Sequence, residues 1–330
     1  MSGDIANVAV IGAGQWGKNL VRNFCQLGAL KTVCDLGTDT LAAIARQYQG
    51  IKVTARVADV WEDPDIRAVA IATPAATHFD VAREALAYGK DVFVEKPLCL
   101  SSEHSAQLCR EADRRGRLLM VGHLMHYHPA VEQMKHMVAE GMLGKIHYIY
   151  ANRLNLGRFH NEENVLWDLA PHDISVINAI IGSLPERVSA SGRALSPPGV
   201  VDTVQTTFHY AAGELAAVFI SWLHPFKEQR LVVAGKKGIL VFDDAKPENK
   251  LRFFAEPARW NGQGYELSPG EGEPVGYAAD EPLKKECRHF LDCVANRRKP
   301  LTDGWEGHRV VKVLCACQES LDNGGEWRNI

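Results

Sequence analysis

The chain has 330 residues, more than the roughly 250 to 300 that a single hydrophobic core usually organises, so two domains are expected. Hydrophobic residues make up 46% of it and charged residues 23%, an ordinary globular mixture that excludes a disordered chain. Lys and Arg number 37 against 40 Asp and Glu, a net charge of −3, which excludes a partner held through phosphate-backbone electrostatics over a broad face; no nucleic acid is expected.

In chain order, Asp4 places an acid where a secretory leader needs positive charge, and Gly12 and Gly14 break the apolar run that follows. Nowhere do the roughly 18 consecutive apolar residues of a membrane helix occur, so the expectation is a cytoplasmic protein that meets no membrane. The first 122 residues repeat one unit: a short apolar run, a turn marked by Gly or Asp, then a helical stretch. Asn7 to Gly12, Leu30 to Cys34, Ala68 to Thr73, Asp91 to Glu95 and Arg117 to Gly122 read as strands, with a weaker one near Ile51 to Thr54. Gly17 to Leu27, Thr38 to Tyr48, Thr77 to Tyr88 and Ser101 to Arg115 carry helical periodicity. Continuous apolar strands alternating with helices imply a parallel sheet covered on both faces, a doubly wound α/β domain over residues 1–122.

The rhythm then changes. Pro129 opens a helix that runs to about Glu140, and a strand from Lys145 to Leu154 follows. Val201 to Tyr210, Glu214 to Leu223, Gln229 to Ala234 and Ile239 to Asp243 alternate with period two and are joined by glycine-bearing links, which predicts a largely antiparallel sheet. Helices near Glu281 to Asn296 and Gly304 to Leu321 close an α+β domain over residues 123–330, whose last helices can pack back on the first domain. Cys25, Cys34, Cys99, Cys109, Cys287, Cys293, Cys315 and Cys317 lie among apolar neighbours without a CxxC pair or a companion His at zinc spacing, so they read as buried free thiols. His123, His126 and His128 crowd one segment at spacings that form no recognised metal site, which leaves a loop near the ligand cleft and no metal expected.

Gly12-Ala13-Gly14-Gln15-Trp16-Gly17 ends a predicted strand and opens a predicted helix, the context in which a GxGxxG pattern makes a dinucleotide-binding Rossmann turn. Gly12 allows the tight turn, Gly14 lets backbone approach a pyrophosphate, Gly17 lets helix pack on strand, and the helix N-terminus faces the anion. Asp35 ends the next strand 23 positions after Gly12, where a carboxylate accepts hydrogen bonds from the adenosine ribose and repels a 2′-phosphate, so the expected cofactor is NAD rather than NADP. Thr73-Pro74 and His78 at the fourth strand, and Glu95-Lys96 at the fifth, complete the expected cofactor contacts with Gln15 and Trp16. Lys96, held before Pro97 at the carboxyl edge of the sheet, can point its ammonium at a substrate hydroxyl.

Asp168-Leu169-Ala170-Pro171-His172-Asp173 reads as a helix start with Asp168 as cap or first residue, because Pro171 suits only a first turn. His172 then lies one turn later on the same face, and a carboxylate beside an imidazole orients it for proton transfer.

GxGxxG, EKP on the fifth strand and DxxxH about seventy residues further on resemble the Gfo/Idh/MocA family of nicotinamide-dependent sugar oxidoreductases. The resemblance spans almost the whole chain, including Val121-Gly122-His123, Gly235-Lys236-Lys237-Gly238 and Pro300-Leu301-Thr302-Asp303-Gly304. It implies that Lys96 and His172 carry the proton chemistry with Asp168 in support, and that Lys96, His123, Arg153, Arg158, Trp167 and His172 meet the substrate. Asn152 to Arg158, leading into Val165 to Asp173, resembles the nucleotide-sugar branch, the UDP-N-acetylglucosamine 3-dehydrogenases, with the UDP-N-acetylglucosaminuronate 3-dehydrogenases as the near alternative. That branch implies oxidation of a C3 hydroxyl for 3-amino-sugar biosynthesis of the lipid A or O-antigen kind, with Arg153 and Arg158 gripping a diphosphate. It also brings in 2-oxoglutarate as a means of recycling bound cofactor. Trp167 and Pro171 depart from the small residues common around the family's DxxxH. A reading from another class is an NAD-binding sensor without turnover, since fold does not fix function. Phe208, Tyr210, Phe219 and Trp222 are candidates for an outward aromatic face of the second sheet, period two leaving open which of them face out, and such a face is the basis for expecting a homotetramer, or failing that a dimer.

Overall fold

A computed structural model describes residues 7–157, 163–195, 199–256, 258–267 and 270–330. The contacts divide the chain into two compact units, one made of residues 1–127 and 280–311, the other of 128–279 and 312–330. The division thus falls five residues beyond the expected boundary at 122, and a late segment of the chain belongs to the first unit.

The first unit begins β1 (Val8–Ile11), α1 (Gly17–Gln26), β2 (Leu30–Cys34), α2 (Thr38–Gln47) and β3 (Lys52–Thr54). It continues α3 (Ala58–Trp61), β4 (Ala68–Ile71), α4 (Ala75–Ala87), β5 (Asp91–Glu95), α5 (Ser102–Arg115) and β6 (Leu119–Gly122), ending in a 3-10 turn over Leu124–Tyr127. All six strands pair in parallel in the order β3-β2-β1-β4-β5-β6. Every residue of β1, β4, β5 and β6 is buried, as strands covered on both faces require. Ser101 caps α5 by accepting from the His104 N–H, and Gly116 ends it in the left-handed region at φ 61°. α3 is a single turn, too short to show periodicity in the sequence.

The second unit runs α6 (Pro129–Ala139), β7 (Ile146–Leu156), α7 (Val165–Ile181), β8 (Arg187–Arg193), β9 (Thr203–His209), β10 (Leu215–Ser221), β11 (Leu223–Gly235), β12 (Gly238–Asp243) and β13 (Leu251–Ala255). The hairpin β14 (Ala258–Trp260) and β15 (Tyr265–Leu267) and the short β16 (Glu273–Pro274) follow. After α8 (Pro282–Asn296), which belongs to the first unit, come α9 (Gly304–Asp322) and β17 (Arg328–Asn329). Nine strands form one sheet ordered β16-β13-β12-β11-β7-β10-β9-β8-β17, antiparallel except for the parallel pair of β7 with β10. The protein is therefore an α/β chain, a Rossmann unit followed by a unit with a largely antiparallel sheet. β8 and β13 escaped the sequence reading because Arg-Val-Ser-Ala-Ser-Gly-Arg lacks an apolar run and Leu251 to Ala255 is brief.

Two expectations about this unit are corrected. The helix bearing His172 starts at Val165, where the Asn164 side chain accepts from the N–H groups of Leu166 and Trp167, so Asp168 is neither cap nor first residue and Pro171 stands seventh. Val165, Leu166 and Trp167 are all buried, and that apolar packing holds the earlier turn despite the proline. The candidates for an outward aromatic face also narrow: Phe208 is 1% exposed, Trp222 1% and Tyr210 4%, because their register faces them toward α7. Tyr210 donates to Asn178 on that helix, and Trp222 to Asp168. Only Phe219 of the four is half-buried on the opposite face, in register with Asn152, whose strand also presents Tyr148 and Tyr150 there.

Candidate active site

The glycine loop, Asp35, Thr73-Pro74, Glu95-Lys96 and Gly122-His123 all follow the carboxyl ends of strands of the parallel sheet, the edge at which open α/β sheets bind ligands. Two glycines are required by the protein itself. Gly12 has φ +86°, and a Cβ there would meet the Ala72 carbonyl oxygen at 2.7 Å; a Cβ on Gly17 would come within 2.1 Å of the Gly12 carbonyl oxygen. Gly14 differs, because a Cβ there would meet nothing within 4 Å. No protein group demands a glycine at that position, whereas a pyrophosphate lying on the backbone does. α1 has no side-chain cap and no acid in its first turn, so no side chain competes with an anion for the positive end of the helix. The Asp35 carboxylate accepts from the N–H of Ala13 at 2.6 Å and of Gly37 at 2.8 Å, so it is aimed at the loop with acceptor capacity left for a ribose. These residues fit a dinucleotide.

Glu95 is buried beneath this edge. Its Oε1 accepts from the Trp16 indole at 2.5 Å and its Oε2 from the Lys96 N–H at 3.4 Å. Burial pushes its carboxyl up to about 7, against the opposing pull of Trp16, Lys96 and His123. Lys96 itself is half-buried, and its bond to Pro97 is cis.

Several expected contacts are placed elsewhere. His78 is 1% exposed with Nδ1 on the Pro97 carbonyl and Nε2 on the Thr73 carbonyl, both at 2.8 Å, so it braces the strand ends in place of facing a cofactor. Burial lowers its pKa, with those two carbonyls opposing. His123 is likewise buried, with Nδ1 2.5 Å from Oε2 of Glu306, whose other oxygen lies 3.9 Å from His126 Nε2. Burial would raise the Glu306 carboxyl, but His123 and His126 outweigh it and hold it below its usual range. His128 caps α6 by accepting from the Ala130 N–H. His123 and His126 thus share the Glu306 carboxylate, whereas His128 serves as a helix cap.

In the second unit Asp168 accepts from the Trp222 indole at 2.9 Å, with His172 one turn further along α7. Arg153 makes two hydrogen bonds to Asp173, at 2.8 and 3.0 Å, which fixes β7 to α7 and commits this guanidinium to a carboxylate of its own chain. Trp167 is buried and donates to Gln318 at 3.0 Å, so its indole serves packing rather than an open pocket. Arg158 lies outside the described residues. Partners the sequence did not reveal are Glu306, Asp173 and Glu286. For Glu286 a signal existed: it is a charge on the apolar stripe Leu283, Cys287, Phe290, Val294 of α8.

A glycine-rich dinucleotide turn, an acid at the ribose position and a lysine at the same sheet edge define a nicotinamide-dependent oxidoreductase. Residues 6–123 match the family model described as oxidoreductase family, NAD-binding Rossmann fold, and residues 131–241 match the Gfo/Idh/MocA C-terminal domain. The chain belongs to the Gfo/Idh/MocA oxidoreductase family, and its cofactor is NAD. It is 27% identical to the scyllo-inositol 2-dehydrogenase (NAD(+)) of Bacillus subtilis, covering 96% of this chain and 94% of that one. It is 26% identical to the UDP-N-acetylglucosamine 3-dehydrogenase of Acidithiobacillus ferrooxidans, over 95% of this chain and 96% of that one. The fold matches levoglucosan dehydrogenase, solved with NADH and levoglucosan, at a TM-score of 0.85 with 21% identity, over 98% and 99% of the two chains. Among the described residues no helix is long and apolar enough to cross a membrane.

Proposed function

We propose that the protein oxidises the C3 hydroxyl of UDP-N-acetylglucosamine to the 3-keto sugar, with NAD as hydride acceptor. The observation that carries the dehydrogenase reading is Lys96, placed one residue after an acid that is hydrogen-bonded to the dinucleotide loop. NAD supplies the hydride acceptor when bound. Gly14 and the α1 N-terminus, which no side chain caps, receive its pyrophosphate, and Asp35 its adenosine ribose. Lys96 takes the hydroxyl proton as the hydride leaves, and general-base assistance of this kind contributes about a hundredfold to ten-thousandfold. His172, steadied by α7 and supported by Asp168, is the second proton-handling group.

The nucleotide-sugar assignment rests on the resemblance of residues 152–173 and on the Acidithiobacillus relative. With Arg153 bound to Asp173, the diphosphate contact falls to Arg158. UDP-N-acetylglucosaminuronate, a polyol or another sugar is the alternative substrate, and a sensor without turnover is the alternative class. The test is the absorbance of reduced nicotinamide after mixing protein and NAD with UDP-N-acetylglucosamine, its uronate, free N-acetylglucosamine and scyllo-inositol, each with and without 2-oxoglutarate. A signal with the UDP-sugar alone supports the proposal; a signal with inositol alone overturns the substrate, and binding without any signal favours the sensor. The outer face of the second sheet, with Tyr148, Tyr150 and Phe219, is assigned to contact with a second copy in a homotetramer, or a dimer as fallback. Light scattering from a monomer would overturn that assignment.

A further inference from the structure

Glu95 joins two parts of the first unit that are remote in sequence. Its carboxyl takes a hydrogen bond from Trp16 in the glycine loop, 79 residues away, and another from the backbone of Lys96. Gly122 on the neighbouring strand makes the room, since a Cβ there would come within 2.9 Å of Glu95 Oε2. A second buried acid stands on the helix packed over this strand: Phe290 of α8 meets Phe93 of β5 with ring centroids 5.7 Å apart, and Glu286, one turn before Phe290, is 0% exposed with neither oxygen hydrogen-bonded to any described residue. Two carboxylates cannot both ionise cheaply in such a setting.

We propose that Glu95 is the ionisable member and Glu286 the protonated member of a buried carboxyl pair, and that ionised Glu95 is a positioning residue that fastens the dinucleotide loop through Trp16 for cofactor binding. The groups that face this pair fit the division. Lys96 and His123 bear on Glu95 and favour its charge, whereas among the described residues the charge acting on Glu286 from outside α8 is that of Glu95, and its neighbours Cys287 and Tyr127 are neutral. Burial holds Glu286 well above the usual carboxylate range, with Glu95 adding to the effect, whereas Glu95 titrates at about 7. A hydrogen bond to a carboxylate is roughly twice as strong as one to a neutral carboxyl, so the loop is held firmly above that pH and more loosely below it.

The test uses NAD and NADH as probes, with dissociation constants measured by calorimetry on the full-length protein from about pH 5 to about pH 9. The wild type should lose roughly three- to tenfold in affinity for both dinucleotides as pH falls through about 7, and Trp16 fluorescence, taken as the difference from Trp16→Phe, should change with the same midpoint. Glu95→Gln keeps an acceptor for the indole but should show no step, with an affinity near the acid limit of the wild type. Trp16→Phe should be weak and pH-independent. Glu286→Gln should retain the step. A step that survives in Glu95→Gln, or full affinity in a folded Trp16→Phe, overturns the proposal. A step seen with NAD and not with NADH also overturns it, because it would report attraction of the cationic ring and not a fastened loop. Circular dichroism of each variant separates misfolding from loss of the loop contact.

Discussion

Arg153→Ala should destabilise the second unit far more than removal of an exposed arginine. The guanidinium and the Asp173 carboxylate are 11% and 7% exposed, and two hydrogen bonds at 2.8 and 3.0 Å join them in a bidentate pair. Burial would lower the Arg153 pKa, but Asp173 outweighs it and raises the value, as expected of a charge that its partner holds in place. Taking away the arginine leaves a buried carboxylate on α7 with no other charged partner among the described residues. Breaking a pair of this kind costs about 3 to 5 kcal/mol, whereas replacing both members by apolar residues of similar size is often close to neutral. Asp173 adjoins His172, so the same change also loosens the helix that carries the proposed proton-handling group. Urea unfolding followed by tryptophan fluorescence and by far-UV circular dichroism measures the loss, since the two units need not unfold together. The expected result is a loss of about 3 kcal/mol in Arg153→Ala and a smaller one in Arg153→Met with Asp173→Leu. A single-variant cost below about 1 kcal/mol, the size for solvent-screened pairs, would refute the reasoning.

Gly14→Ala should leave thermal stability unchanged or slightly higher while weakening NAD binding, because its Cβ meets no protein atom. Gly17→Ala should lower both, since its Cβ would press on the Gly12 carbonyl; calorimetry with and without NAD separates the two outcomes, and equal stability losses would contradict the assignment of Gly14. Asp35→Ser removes the carboxylate that accepts from Ala13 and Gly37, so NAD affinity should fall by about tenfold or more while the preference over NADP narrows. An unchanged preference in competition binding would place the ribose elsewhere. Glu286→Gln should gain stability relative to the wild type as pH rises from about 4.3, the unfolded carboxyl value, because the folded chain keeps a proton that the unfolded chain releases. The advantage grows by about 1.4 kcal/mol per pH unit until the folded group itself ionises, and parallel pH profiles for the two proteins would show that Glu286 is ionised in the fold.

The Rossmann unit was legible because its information is local. Apolar strands, glycine turns and the GxGxxG spacing repeat within short windows, and β2 and β5 fall on the residues expected. The site's wiring was not, because a hydrogen bond between Trp16 and Glu95, or between His123 and Glu306 across 183 residues, leaves no periodic trace. The second unit shows the same limit from another side. Period two marks its strands but not which face is covered, so Trp222 and Phe208 could be assigned outward until α7 was seen to lie over them. Arg153 illustrates how a charge-bearing residue next to a motif attracts a ligand reading when its partner, Asp173, stands twenty positions away within the same motif.

The central claim is that Lys96 takes the proton while a sugar hydroxyl is oxidised by NAD. NADH formation from UDP-N-acetylglucosamine, measured with NAD-saturated wild type and Lys96→Ala, tests it most directly. The account predicts a turnover loss of at least about a hundredfold with NAD still bound; a variant that turns over at the wild-type rate would contradict it.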